Sequence, residues 1–239
     1  MEKTLSSQQV LEALLALADP VKAGFAQRYF KTGKGQYGEG DLFLGVTVPQ
    51  VRQLARQYRG LGLKGCGELL ASRHNEARLL ALLILVEHYR KGDEPAREQV
   101  NHLFLDKRRY VNNWNLVDSS APFILGAHLV ERDRSVLFEL ARSDMLWDRR
   151  IAMLAAFAFI RAGDFADALK LVKLLLADRH DLMHKACGWM LREIGKRDEA
   201  VLEKFLHRHH SAMPRTMLRY AIEKFPPQRR QAWLAGTPL

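Results

Sequence analysis

The stretch NNWNLVDSSAPFILG, Asn112 to Gly126, places a carboxylate, Asp118, four residues after a tryptophan, Trp114. On a helix that spacing puts both side chains on one face, one turn apart. A basic cluster, KRRY (Lys107 to Tyr110), precedes them. An aromatic face attracts cations, and a fixed carboxylate can stabilise developing positive charge and orient or deprotonate a water. A second reading makes Asp118 structural. In DSSAP, either Asp118 or Ser120 could N-cap a helix whose first turn holds Pro122. Capping accounts for the acid but not for the tryptophan beside it.

The elements that must position these residues read as helices. Apolar residues recur at i, i+3, i+4 and i+7, the period of an amphipathic helix. Five long apolar helices start near Asn75, Asn113, Trp147, Leu182 and Pro214, 32 to 38 residues apart. Shorter amphipathic helices lie between them, at about 95–107, 133–142, 165–177 and 198–210, with Asp133, Asp164 and Asp198 placed as caps. A two-helix unit at this period predicts an all-α fold, a right-handed α-α superhelix of HEAT-like repeats whose second helices line a concave basic groove. A plain helical bundle is the competing architecture. FLGVTV (Phe43 to Val48) has strand-like composition, but Pro49 follows and suits the first turn of a helix. The expected organisation is a single domain over 1–239: N-terminal helices to residue 60, with a glycine-rich loop at 32–41, repeats over 61–225, and a basic tail over 226–239.

Composition narrows the partners. Lys and Arg outnumber Asp and Glu by 37 to 27, a net charge of +10, with an isoelectric point near 9.8. That balance favours a polyanion such as nucleic acid. The N-terminal turns of the long helices carry Trp114, Arg149, Arg150, Lys185, Arg215 and Arg219. Cations normally avoid helix N-termini, and arginine there suits a docked phosphate. No apolar run is long enough to span a bilayer, and MEKTLSSQQ lacks the apolar core of a signal peptide. Cys66 and Cys187 form no metal or redox spacing, which points to a reduced cytoplasmic setting. HRHH (His207 to His210) offers at most two facing ligands with no supporting carboxylate or cysteine, so no metal site is expected. TGKGQYGEGDLF (Thr32 to Phe43) holds four glycines and reads as an exposed flexible loop. FPPQRRQAWLAGTPL ends the last helix at Pro226 and Pro227 and adds a basic, partly apolar tail.

Two more segments, LWDRRIAMLAAFAF (Leu146 to Phe159) and HKACGWMLREIGK (His184 to Lys196), each join a tryptophan to arginines. With WNLVD, AQRYFK and FLGVTVPQVRQLA, in this order and spacing, the chain resembles the bacterial AlkD-type alkylpurine DNA glycosylases, DNA alkylation repair proteins built of HEAT-like repeats. The resemblance covers nearly the whole chain. It implies that Asp118 is the catalytic aspartate and that Trp114 contacts the lesion sugar. It further implies that Arg150 holds the DNA backbone near the lesion, that Trp189 completes an aromatic cleft, and that Tyr29 contributes a tyrosine from the first repeats. Arg149, Lys185, Arg192, Arg215 and Arg219 are the further DNA-binding candidates.

The implied reaction is hydrolysis of the N-glycosidic bond of cationic N3- or N7-alkylated purines in duplex DNA. The protein would act as a monomer without metal or cofactor, in a cytoplasmic, nucleoid-associated setting. The chain departs from the resemblance at Asn113, where the best-known member has a second aromatic, at Asn115, which stands in place of an acid, and in the loop 32–41. These departures bear on substrate range and rate. The rival readings are a non-excising binder of damaged or branched DNA on the same scaffold, and a helical-repeat protein scaffold.

Overall fold

A computed structural model describes residues 5–237. Among these residues the chain is helical, and the one β-type contact is an isolated parallel bridge between Leu42 and His74. FLGVTV is accordingly an extended link rather than a strand. Its last residue opens a helix with Pro49 in the first turn, where the missing N–H costs no helical hydrogen bond. The chain divides into two compact units, Met1–His128 and Leu129–Leu239.

The first unit holds α1 (Ser7–Leu15), α2 (Pro20–Tyr29), α3 (Val48–Gln57), α4 (Leu63–Leu70), α5 (Asn75–Lys91), α6 (Glu94–Asp106) and α7 (Trp114–Ser120). Helix α5 is its axis. Leu79, Leu80, Leu82, Ile84 and Leu85 are all buried, so the middle of the helix is enclosed on every side, as a central helix must be. It packs against α3, α4, α6 and α7. The second unit holds α8 (Ser135–Leu140), α9 (Leu146–Ala155), α10 (Phe157–Arg161), α11 (Ala166–Leu174), α12 (Asp181–Gly195), α13 (Glu199–His209), α14 (Arg215–Ala221) and α15 (Pro227–Ala235). Here α12 is central, touching α9, α10, α11, α13 and α14.

The starts of α5, α7, α9, α12 and α14 fall within one residue of the rhythm read from the sequence, and α6, α8, α11 and α13 fill the intervals. Of the three aspartates expected as caps, only Asp198 is the N-cap of its helix, whereas Asp133 and Asp164 stand one residue ahead of the caps Arg134 and Phe165. Asp133, Asp164 and Asp198 accept the backbone N–H of Ser135, Ala166 and Val201 at 3.2, 3.2 and 3.0 Å. The tail differs from its sequence reading. Pro227 opens a further helix, α15, which ends at Gly236 in the left-handed region at φ 79°. Proline suits a first turn, so the Pro-Pro pair that stops one helix also starts the next. Trp233 on α15 is buried, with His207 and His210 against its ring at 4.9 and 5.4 Å. Two histidines of HRHH thus pack the last helix.

Helices α12 and α14 meet at Gly188. A Cβ there would lie 2.5 Å from the Met217 carbonyl oxygen and 2.5 Å from Tyr220 Cβ. Gly188→Ala must push the two helices apart, and overpacking of this kind costs about 1–3 kcal/mol. The variant is expected to melt several degrees below wild type. Equal melting temperatures would rule out so close an approach.

Candidate active site

Helix α7 begins at Trp114 because the residue before it is a cap. Asn113 is extended (φ −152°, ψ 154°), and its side-chain oxygen accepts the Trp114 N–H at 2.8 Å. Asp118 therefore lies inside α7, and the alternative that it caps a helix does not hold. The helix continues instead of restarting. Pro122 has no N–H to offer the Asp118 carbonyl four residues back, and the backbone widens into a π-turn over Pro122–Gly126, closed by Gly126 N–H to the Ala121 carbonyl at 2.8 Å. Trp114 and Asp118 are both half-buried and stand one turn apart. Ahead of them, Arg108 and Arg109 are exposed on a single 3-10 turn, Arg108–Tyr110.

Trp114 belongs to a cluster of four rings. Phe30 stacks on it at 5.0 Å and 20°, and Phe43 stacks on Phe30 at 4.7 Å and 16°. Tyr29 meets Trp114 edge-on at 6.0 Å and Phe30 at 5.1 Å. Phe43 is buried, whereas Tyr29 is 66% exposed, so the cluster runs from core to surface. Tyr29, Trp114 and Asp118 thus share one region of the first unit.

A polar network supports the start of α7. Asp41 is buried and ion-paired with Arg78, whose side chain is equally enclosed. The Asp41 carboxylate also accepts Nδ2 of Asn75 at 3.0 Å and Nδ2 of Asn113 at 2.9 Å. Asn75 Oδ1 in turn accepts Nδ2 of Asn115 at 2.7 Å. The other Arg78 amino group donates to the Ser72 carbonyl at 3.0 Å. Close by, the Glu76 carboxylate accepts the N–H groups of Leu44 and Gly45. Burial pushes the Glu76 carboxyl above its ordinary range, against the pull of those donors.

Asp41 ends the glycine-rich loop, which is consequently not the free segment its composition suggests. Gly38 N–H reaches the Lys31 carbonyl at 3.0 Å. Only glycine fits there, because a Cβ would lie 2.4 Å from the Phe30 carbonyl oxygen. The loop's outer residues are exposed, but Gly38 and Asp41 are buried.

In the second unit the cationic candidates are held by protein partners. Arg150 is buried and donates to the Leu182 carbonyl at 2.6 Å, tying α9 to α12. Arg149 pairs with Asp178 at 2.6 Å and donates to the Ser143 and Asp144 carbonyls. Lys185 pairs with Asp181 at 2.7 Å, and Arg192 pairs with Glu223. Trp189 is half-buried, tilted against Phe157 at 5.9 Å, with its N–H directed at Glu193. Arg215 and Arg219 are exposed on α14, the former donating to the Leu234 carbonyl. The idea that the helix-start cations wait for an anion therefore fits Arg215 and Arg219 better than Arg149 or Arg150, which bind neighbouring segments together.

Among the described residues no group of three or more His, Cys, Asp or Glu is placed to hold a metal. Burial pushes the Cys66 thiol up to about 12, and the Cys187 thiol is raised as well, so both are poor nucleophiles. Among the described residues no helix is long and apolar enough to cross a membrane.

The sequence profile of a family described as DNA alkylation repair enzyme matches residues 10–225. The chain belongs to that family. The match spans both compact units, with Trp114 and Asp118 inside it. The solved structure of a protein described as "Predicted DNA alkylation repair enzyme from Enterococcus faecalis" matches with a TM-score of 0.67. The match covers 88% of this chain and 97% of that one at 14% sequence identity. At that identity the likeness is one of fold, and it accords with an all-helical repeat array. No curated protein matches the chain.

Proposed function

We propose that this member of the DNA alkylation repair family is a monofunctional DNA glycosylase. It hydrolyses the N-glycosidic bond of cationic N3- and N7-alkylated purines in duplex DNA. The observation that carries the reading is Asp118 one turn after Trp114 on α7, beside a four-ring cluster whose outermost member, Tyr29, is exposed. An alkylated purine of this type already bears a positive charge. When the glycosidic bond breaks, its electron pair goes to the base, which leaves neutral. Positive charge then builds on the deoxyribose, as in other glycoside hydrolyses. The Asp118 carboxylate stabilises that charge and takes a proton from the water that adds to the sugar carbon. Because the leaving group is already activated, one acid suffices where ordinary glycosidases use two.

Trp114 and Tyr29 offer ring faces to the sugar and favour cationic species. In the second unit the exposed Arg215 and Arg219 of α14 contribute to the duplex footprint. No metal or cofactor enters the step.

If the protein grips backbone and sugar rather than enclosing the base, lesion lability sets specificity. A bulky N7 adduct is then released at a rate within about tenfold of N7-methylguanine. Removal of methyl adducts with exclusion of bulky ones would contradict an open site. Duplex affinity should also fall steeply with salt, by on the order of 0.9 log units per log unit of salt for each phosphate contacted. A flat salt response would point to a protein partner instead.

A further inference from the structure

We infer that the glycine-rich loop at 32–41 is a positioning device for the candidate active site, acting through Asp41; the inference rests on the reading of Trp114 and Asp118 given above. Asp41 is not among the four rings and is not on α7. What it does is decide how three amides face. An ionised carboxylate can only accept hydrogen bonds. Asn75 and Asn113 must therefore both present Nδ2 to it. That turns Asn113 Oδ1 toward the Trp114 N–H, making the cap of α7. It likewise turns Asn75 Oδ1 toward Asn115 Nδ2. One buried acid thus orients two residues, Asn113 and Asn115, that flank Trp114 at the start of the helix carrying Asp118.

The same loop fixes the other side of the ring cluster. Lys31, directly after Phe30, adopts φ 55°, a left-handed conformation that needs support from its surroundings when the residue is not glycine. That support is Gly38, whose N–H bonds the Lys31 carbonyl and whose missing Cβ admits the Phe30 carbonyl. Phe30 is the ring stacked on Trp114. The loop therefore grips Phe30 through Gly38 and Asn113 through Asp41, ahead of and behind the tryptophan. Arg78 offsets the buried charge of Asp41 and holds it to α5. Asn113 and Asn115, the two amides beside Trp114, are accounted for by this arrangement. They are the partners that a loop ending in a buried aspartate requires.

The test exchanges acid and amide across one hydrogen bond. Asn113→Asp keeps an excellent N-cap but sets a carboxylate against that of Asp41. Asp41→Asn removes the acceptor. The double variant, Asp41→Asn with Asn113→Asp, restores a donor facing a carboxylate and keeps the net charge. Each variant is read in two ways: single-turnover base release with duplex Kd, and hydrogen exchange over residues 112–120. Small misplacements of reacting groups cost up to about 100-fold in rate. Asn113→Asp is expected to lose about 10- to 100-fold in release, to keep its duplex Kd within about threefold, and to exchange faster at the start of α7. Relative to Asn113→Asp, the double variant is expected to recover at least several-fold in rate and to regain protection at the start of α7, while melting below wild type because Arg78 loses its carboxylate partner. A folded Asn113→Asp protein with wild-type release and exchange would overturn the inference, as would a double variant no better than the single one. If wild type released no base, or Asp118→Asn released it normally, the glycosylase reading would fail. The exchange data would still decide whether Asp41 sets α7.

Discussion

Asp118→Asn is expected to bind duplex DNA as wild type does and to release base roughly 100- to 1,000-fold more slowly, the loss typical when one preorganised stabilising group is removed. Asparagine is nearly isosteric with aspartate, and position 118 lies inside α7, where the helix start depends on Asn113 instead. The fold should therefore survive. What disappears is the negative charge facing the sugar as the purine departs, and with it the acceptor for a proton from the attacking water. A single-turnover assay on a duplex with one N7-methylguanine separates this from weakened binding. Loss confined to the bond-breaking rate assigns Asp118 to the transition state. A parallel loss of duplex affinity would make it a binding residue. Undiminished release would remove it from the mechanism while leaving the reaction class open.

Arg78→Met carries the largest expected effect on stability. Arg78 and Asp41 form an ion pair with side-chain exposures of only 6% and 2%. Methionine removes the guanidinium and leaves the Asp41 carboxylate with amide donors alone. Breaking a buried pair on one side costs about 3–5 kcal/mol, because the remaining charge is no longer compensated. For a chain of this length the melting temperature should fall by roughly 6–20 °C. Adding Asp41→Asn to Arg78→Met should recover much of the loss, since removing both charges of a buried pair is far less costly than removing one. Calorimetry of the two variants beside wild type checks both statements. An Arg78→Met protein melting within about 2 °C of wild type would mean that Asp41 is hydrated or neutral and does not depend on Arg78.

The sequence is legible where structure is decided locally. Helix starts near Asn75, Trp114 and Arg215 follow from the apolar period, and Asp198 caps its helix as its position suggests. Pairing Trp114 with Asp118 needs only the helical repeat. Other features depend on partners distant in the chain. Asp41 looks like the last residue of a flexible loop until Asn75, Arg78 and Asn113, 34, 37 and 72 residues away, close around it. Four glycines say that a loop can bend, not what it will touch. Phe30 and Phe43 look like ordinary core residues, and only tertiary packing stacks them beneath Trp114. Arg149 and Arg192 show the converse. Their types and positions suggest phosphate, but Asp178 and Glu223, from other helices, take their charge. Composition counts cations without saying which are already paired. The tail hides its helix for a similar reason: a proline pair marks a break, and Trp233 reveals its anchoring role only beside His207 and His210.

The central claim is that the protein cuts a glycosidic bond. The most direct measurement is mass-spectrometric detection of free base after incubating wild type, in excess and with EDTA present, with a duplex carrying one N7-methylguanine. The account predicts free 7-methylguanine in step with abasic sites, and strand scission only after alkali. Tight binding of the duplex with no free base above the spontaneous rate would contradict it and identify a protein that recognises damaged DNA without excising it.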